Sequence, residues 1–420
     1  MSARKPTRSA CFQPDNYSDP ELFANRTDLL EDLTSTLESF LSPGAPGSGR
    51  ILVRGHRGVG KSILTRAALD RVVETLGPLA ITVDAARTGH GPDAFLRHLA
   101  ADLAREALQH TTDQELIKSA ELLQRFAQTS KLTVKQVKQW SSSLKVDATA
   151  KSRFLDTVQF EFGMTRASGR SRSVEESFER AVDADFLRDL LQEFLRDARK
   201  AGQHIVLFLD NLDQVGYGEV EDDIQRVSNL ARHLFGLDDV VVLANLRSEF
   251  VSSDLRKLYS IEKIVPGLAP AELALIAEKR IAQAGETQRQ ALAQAGFSAI
   301  IEQLSHWTDN AWSLLSWLAC FDYLSMDFAP SDARALRGAL LDFAERRYAG
   351  LSRHELELLG PVYKNDKHKF VTQVELDTHG VTQELLGRAI RFGALVPDVL
   401  LSPDRYMLSP VLHFLTVTGA

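Results

Sequence analysis

Residues Gly55-His-Arg-Gly-Val-Gly-Lys61-Ser62 fit the pattern G-x-x-x-x-G-K-[ST] without a mismatch. The run follows a short apolar segment, Ile51-Leu-Val53, and opens a helical pattern from Ser62 to Leu76. A strand that turns through glycines into a helix is the context in which this pattern cradles phosphates. Gly55, Gly58 and Gly60 let the backbone curl, so that its N–H groups, that of Val59 among them, face one point. The N-terminus of the helix adds partial positive charge there. Lys61 is placed to reach the β- and γ-phosphates of ATP, and the Ser62 hydroxyl to take a place on Mg²⁺. The plain alternative is a chance glycine-rich turn. With glycine at ~7% of residues, a chance match at this length is on the order of one in a hundred.

A phosphate loop needs a carboxylate on a neighbouring strand to hold the hydrated metal. His204-Ile-Val-Leu-Phe-Leu209-Asp210, the most apolar strand candidate, ends in one. Many ATPases with such a loop place Glu directly after this Asp, to orient the attacking water. Here Asn211 follows, and Asn cannot take a proton. Asp213 is the next acid, with two roles open: general base or structural turn residue. A third strand candidate, Val240 to Ala244, runs into Asn245-Leu-Arg247. Asn245 or Arg247 is placed to sense the γ-phosphate; the other reading of Arg247 is a surface salt bridge. Arg256, on the next helix, is either a solvated arginine or a finger that serves a neighbouring copy.

Strands at 51–53, 79–83, 204–209, 240–244 and 261–265 alternate with helices such as Pro92–Gln109 and Ala181–Ala201. That order indicates an α/β domain with a mostly parallel sheet. From Pro270 onward the pattern turns helical. The chain has 420 residues, 44% hydrophobic and 25% charged, with 49 Lys+Arg against 56 Asp+Glu and a net charge of −7. A mildly acidic chain does not adhere to DNA wholesale, although a local basic patch remains possible. No run approaches the ~18 apolar residues of a membrane helix. Met1 to Asp19 lacks the apolar segment of a secretory signal. Two cysteines, Cys11 and Cys320, cannot supply a disulfide framework or a four-ligand zinc site. A cytoplasmic location with no membrane partner is the expectation.

These motifs, in this order, resemble the AAA+ superfamily and its STAND relatives, including the origin-recognition initiator ATPases. Phe23-Ala-Asn-Arg26, followed by Leu29 and Leu33, looks like the family's N-terminal box, which implies that Arg26 borders the adenine. Asp210 and Asp213 are similar to the D-x-x-D form of STAND and KAP-type ATPases, and Arg247 matches the arginine that ends the corresponding strand. Gly267-Leu-Ala-Pro-Ala-Glu272 resembles the start of the helical lid. Asp309-Asn310-Ala-Trp312 falls where such lids often carry Gly-x-x-Arg, yet no arginine is present. The resemblance implies an α/β P-loop NTPase parallel sheet with a helical lid and a C-terminal winged-helix domain. The expected division is a polar tail over 1–20, an ATPase core over 21–268 with a helical and β-hairpin insert at about 113–180, a lid over 269–345 and a winged helix over 346–420.

In that last region Arg353–Gly360, Thr372–Leu376 and Thr382–Phe392 read as helices. Ala394–Pro397 and Tyr406–Leu408 read as wing strands. The helix placed for recognition carries Arg388 and Arg391 against Glu384, little charge for a DNA reader. In STAND relatives the same module makes a regulatory protein contact. Lys131 to Arg172 is the one basic stretch, nine basic residues against three acidic, and is either a solvated surface or a contact for nucleic acid or an acidic partner. What the resemblance implies is an ATP- and Mg²⁺-dependent ATPase acting as a switch. Self-association through the ATPase core, a protein partner and a bacterial defence or signalling setting go with it. The rival expectation is a DNA-binding initiator or transposition-type ATPase; a third is a nucleotide-bound scaffold.

Overall fold

The computed structural model describes residues 12, 26–42, 44–84, 92–129, 131–133, 179–181, 184–212, 234, 236–251, 253–294, 296–323, 332–398 and 402–417. Five parallel strands form the central sheet: β1 (Gly49–Gly55), β2 (Leu79–Asp84), β5 (Ile205–Asp210), β6 (Val241–Arg247) and β7 (Ile261–Ile264). Their order is β2-β5-β6-β1-β7. A further pair, β3 (Lys131–Thr133) and β4 (Glu179–Ala181), is antiparallel and separate from the sheet.

The apolar runs are continuous because helices cover both faces. On β5, Ile205, Leu207 and Leu209 point to one layer while Val206 and Phe208 point to the other. The first layer is built by α3 (Pro92–His110), α4 (Gln114–Ala127) and α5 (Ala184–Lys200). The second holds α1 (Thr27–Leu41), whose Leu30, Leu33, Leu37 and Leu41 make one apolar stripe, and α2 (Lys61–Leu76). Helix α4 was expected within an insert. It instead buries Leu116, Ala120, Leu123 and Phe126 in the main core. Leu116, Ala120, Leu123 and Ala127 recur every three or four residues, which puts them on one helix face. The hairpin expected at 144–162, and most of the basic stretch, lie outside the described residues.

All five strands run the same way, so their carboxyl ends lie on one edge, where ligands of such sheets bind. Register sets what meets there: Gly55 is paired with Arg247, and Asp84 with Asp210.

Beyond α6 (Ser253–Arg256) and β7 come five helices: α7 (Pro270–Gln283), α8 (Glu286–Gln294), α9 (Phe297–Ser305), α10 (Ala311–Tyr323) and α11 (Ala333–Arg347). Then follow α12 (Arg353–Leu359), β8 (Val371–Thr372), α13 (Gln373–Asp377), α14 (Gln383–Arg391), β9 (Leu395–Asp398) and β10 (Ser402–Leu408). The last three strands form an antiparallel sheet in the order β8-β10-β9. The lid helices and this C-terminal unit share a single buried cluster, from Leu273 through Trp317 to Leu415. Trp317 of α10 is its keystone: Nε1 donates to Val411 O at 2.9 Å, and the indole meets Phe414 edge-on.

Candidate functional site

The loop between β1 and α2 curls through two left-handed glycines, Gly58 (φ +80°) and Gly60 (φ +91°). A Cβ makes that backbone costly. Gly55 is required for space instead, since a Cβ there would stand 2.4 Å from Val265 O. Val59 turns its side chain down into the core beneath α1. Gly60 caps α2 without a side-chain bond, so no side chain of that residue competes for the first helical N–H groups. Lys61 Nζ donates to the carbonyls of Gly55 and His56, at 2.9 Å each. The ammonium is thereby held within the loop.

Ser62 Oγ donates to Asp210 Oδ1 at 2.8 Å, across 148 residues of sequence. The hydroxyl and carboxylate predicted to hold Mg²⁺ are thus brought together. Asp210 is only 4% exposed. Its Oδ1 also accepts from the Asn211 backbone N–H (3.1 Å) and from Asn245 Nδ2 (3.3 Å). Its Oδ2 faces Arg66 Nη2 at 3.4 Å. Sequence reasoning missed Arg66, although its place four residues after Ser62 puts both on one helix face.

Asn245, one candidate for sensing the γ-phosphate, lies against Asp210. It is 2% exposed, and its Oδ1 accepts from Thr65 Oγ1 at 2.9 Å. With both ends of its amide engaged, it positions Asp210. Arg247, the other residue expected to sense the γ-phosphate, has its guanidinium 4.6 Å from the Phe250 ring centre. Asp213 lies outside the described residues. A second acid does stand beside Asp210: Asp84, at the end of β2, whose Oδ1 accepts from Asn211 Nδ2 at 3.1 Å. Asn211 has φ +56°, a backbone that Asn tolerates better than most residues. Asp84 was legible as the polar residue that closes an apolar strand.

Arg26 is 7% exposed, and donates to Val59 O (3.0 Å) and Pro266 O (2.7 Å). Burial pulls its pKa below the ordinary value, against the opposing charge of Glu272. It ties α1, the loop and the start of the lid together. From the lid, Asn310 Nδ2 donates to Arg57 O. The Arg57 guanidinium sits 4.7 Å over the Trp312 ring, with Arg347 at 5.0 Å. From the C-terminal unit, His368 stacks on His56 with ring centres 4.3 Å apart. Arg256 is half exposed at the sheet edge, 3.4 Å from Glu262, which also binds Arg54.

The expected recognition helix also differs from its sequence reading. Arg388 donates to Gly350 O at 2.9 Å and pairs with Glu355, which leaves Arg391 exposed. The pairing pulls the Glu355 carboxyl down to about 2, through the Arg388 bond first and the Ser352 backbone N–H second. No helix among the described residues is long and apolar enough to cross a membrane.

The chain is similar over nearly its whole length to several solved structures. The ORC1 protein of Aeropyrum pernix in complex with DNA is 16% identical, with 98% of this chain and 96% of that one covered and a TM-score of 0.45. The ORC2 protein of the same organism, in ADPNP–ADP complexes, is 12% identical, with 97% of each chain covered and a TM-score of 0.40. The Thermotoga maritima RuvB Holliday junction branch migration motor is 12% identical, with 92% and 93% covered and a TM-score of 0.37. No curated protein matches the chain. The AAA ATPase domain family matches residues 23–243, more than half of the sequence, and within that span lie the loop, Ser62, Asp210 and the strands β1, β2 and β5: the chain belongs to the AAA ATPase domain family and is a P-loop ATPase.

Proposed function

We propose that this chain is an ATP-driven molecular switch with slow hydrolysis, a regulatory component of a defence or signalling assembly. One observation carries the reading. Three successive loop residues, His56, Arg57 and Gly58, abut His368, Trp312 and Asn310, so the lid and the C-terminal unit both rest on the nucleotide loop. A change in the loop is then felt by both.

The donor set fits the nucleotide and its metal. Hydroxyl and carboxylate suit a hard cation, so Ser62 and Asp210 would hold Mg²⁺, and Lys61 would face the β- and γ-phosphates. Magnesium, when bound, supplies charge neutralisation on the phosphate oxygens. Asn245 and the Asn211 N–H keep Asp210 oriented beforehand. Asp84, steadied by Asn211, or Asp213 would take the proton of the attacking water. A positioned general base is worth about 10²–10⁴-fold, or about 3–5 kcal/mol of barrier. With Asn211 in the usual place of the base, basal turnover should fall below ~1 s⁻¹.

The helix–strand–helix–helix–hairpin order of residues 353–408 supports a winged-helix unit. The engagement of Arg388 by Glu355 favours a protein contact over duplex DNA for that unit. Arg256 at the open sheet edge is suited to act on a neighbouring copy, which makes self-association part of the proposal.

Calorimetry with Lys61→Ala tests the nucleotide assignment: ATP binding should weaken while the fold persists, and unchanged affinity refutes it. Sizing with and without ATP and duplex DNA tests the switch. An ATP-dependent change of size without DNA is expected; a change that requires duplex would favour the initiator reading.

A further inference from the structure

Asp309, just ahead of α10, His368, in the loop before β8, and His413, in the 3-10 turn Pro410–Thr416, converge where the lid meets the C-terminal unit. One ligand atom from each lies within 4.8 Å of the others. His413 is 0% exposed, and neither of its ring nitrogens has a hydrogen-bond partner among the described residues. A fully buried imidazole with both nitrogens unmet is rare in a native structure and calls for a missing partner. Nδ1 of His368 is likewise buried without a partner among the described residues, while its other nitrogen is 2.6 Å from Asp309 Oδ2.

We infer that Asp309, His368 and His413 form a binding site for a late first-row divalent cation, zinc being the best fit. Two imidazoles and one carboxylate are ligands of the type zinc takes. Zinc–ligand bonds of about 2.0–2.2 Å place tetrahedral ligands roughly 3.3–3.6 Å apart. The observed spread closes to that with side-chain shifts of about an ångström, and the fourth position falls to water. Burial favours the uncharged ring of His413, the form that offers a lone pair. Lys367, 3.4 Å from Asp309 Oδ1, competes with a cation, but it is part-exposed and can swing to solvent. The cysteine count does not bear on this site, which is built from histidine and aspartate alone.

The consequence is mechanical. His368 stacks on His56 of the nucleotide loop, and Asp309 O accepts from Leu268 N at 2.8 Å, at the start of the lid. A metal here would lock the C-terminal unit and the lid to one another beside the loop. The inference stands apart from the switch reading, because metal binding needs no nucleotide.

The test uses the full chain, stripped with chelator and dialysed against excess zinc, with metal content read by elemental analysis and Co²⁺ as the optical probe. One zinc per chain is expected, together with the d–d absorption of tetrahedral Co²⁺ and a rise in melting temperature with zinc. His368→Asn, at a part-exposed position that tolerates a polar side chain, should weaken zinc at least about tenfold; His413→Gln should do the same if it folds. Lys61→Ala should keep its zinc, which separates this site from the nucleotide reading. A stripped wild type that takes up no more zinc than His368→Asn overturns the inference.

Discussion

Gly58→Ala is the substitution that most directly probes the seating of the lid on the loop. Two costs arise and can be separated. The first is backbone: φ is +80° at Gly58 and +91° at Gly60, and a side chain in that region costs about 1–2 kcal/mol. Gly60→Ala carries this cost alone, since a Cβ there meets nothing within 4 Å. At Gly58 the new Cβ would fall 2.2 Å from Asn310 Oδ1 and 2.6 Å from Trp312 Cβ. The lid must give way. That Oδ1 also caps α10 by accepting from Ser313 N at 3.1 Å, and the other end of the same amide donates to Arg57 O. Losing the cap costs about 1 kcal/mol, the hydrogen bond about 1 kcal/mol and the Arg57–Trp312 contact about 0.5 kcal/mol. The upper bound is roughly 2.5 kcal/mol, or about 70-fold in a local opening equilibrium. Hydrogen exchange of the peptide holding Ser313 reads this directly. It should quicken by tens-fold in Gly58→Ala and barely in Gly60→Ala. Adding Asn310→Ala to Gly58→Ala removes the closer clash, so the two changes should combine non-additively. Equal exchange at Ser313 in the two glycine variants would refute the argument.

Arg26→Met removes two charge-assisted bonds while relieving a buried charge, and should cost about 2–4 kcal/mol of stability, read by thermal melting. Asp84→Asn should slow single-turnover hydrolysis by about 10²–10⁴-fold with ATP affinity kept, if Asp84 is the base; an unchanged rate moves that role to Asp213. Arg256→Ala should abolish any rise of wild-type turnover per chain with protein concentration, measured by steady-state hydrolysis. Glu355 has a folded pKa of about 2 against an ordinary 4.5, so its contribution to stability is full above pH 4.5 and fades as pH falls toward 2. The melting difference between wild type and Glu355→Gln should therefore shrink over that interval; a constant difference would mean the ion pair contributes nothing.

The loop and Asp210 could be read from sequence because each is a local pattern: glycines at fixed spacing, or an apolar strand that ends in acid. Strand order was less accessible, although apolar continuity already required a sheet buried on both faces. The network around Asp210 was not legible as a network. Arg66, Asn245 and Asp84 come from α2, β6 and β2, and only parallel register brings them to one point. Asn245 shows why a position in a strand does not fix a role: the same amide that could face a phosphate is turned back onto Thr65 and Asp210. The histidines were invisible for a like reason. His56 is hundreds of residues from His368 and His413, which are themselves 45 apart, and nothing in their local sequence marks them.

The loop has two faces, and their stiffness differs. Toward the sheet, Lys61 and Ser62 make hydrogen bonds that can be exchanged for those of a ligand. Toward the end of β7 and the lid, Gly55 and Gly58 are packed so closely that not even a methyl group fits against Val265 O or Asn310 Oδ1. Close-packed contacts transmit displacement, because they have no slack in which to absorb it. A phosphate that draws the N–H groups of residues 58–62 inward would therefore shift Asn310 and Trp312 with them. His368 would follow through its stack on His56. In the proposed switch, the exchangeable face receives the nucleotide and the rigid face carries the result into a hydrophobic cluster that runs unbroken from Leu273 to Leu415. That continuity is why lid and C-terminal unit should respond as one body.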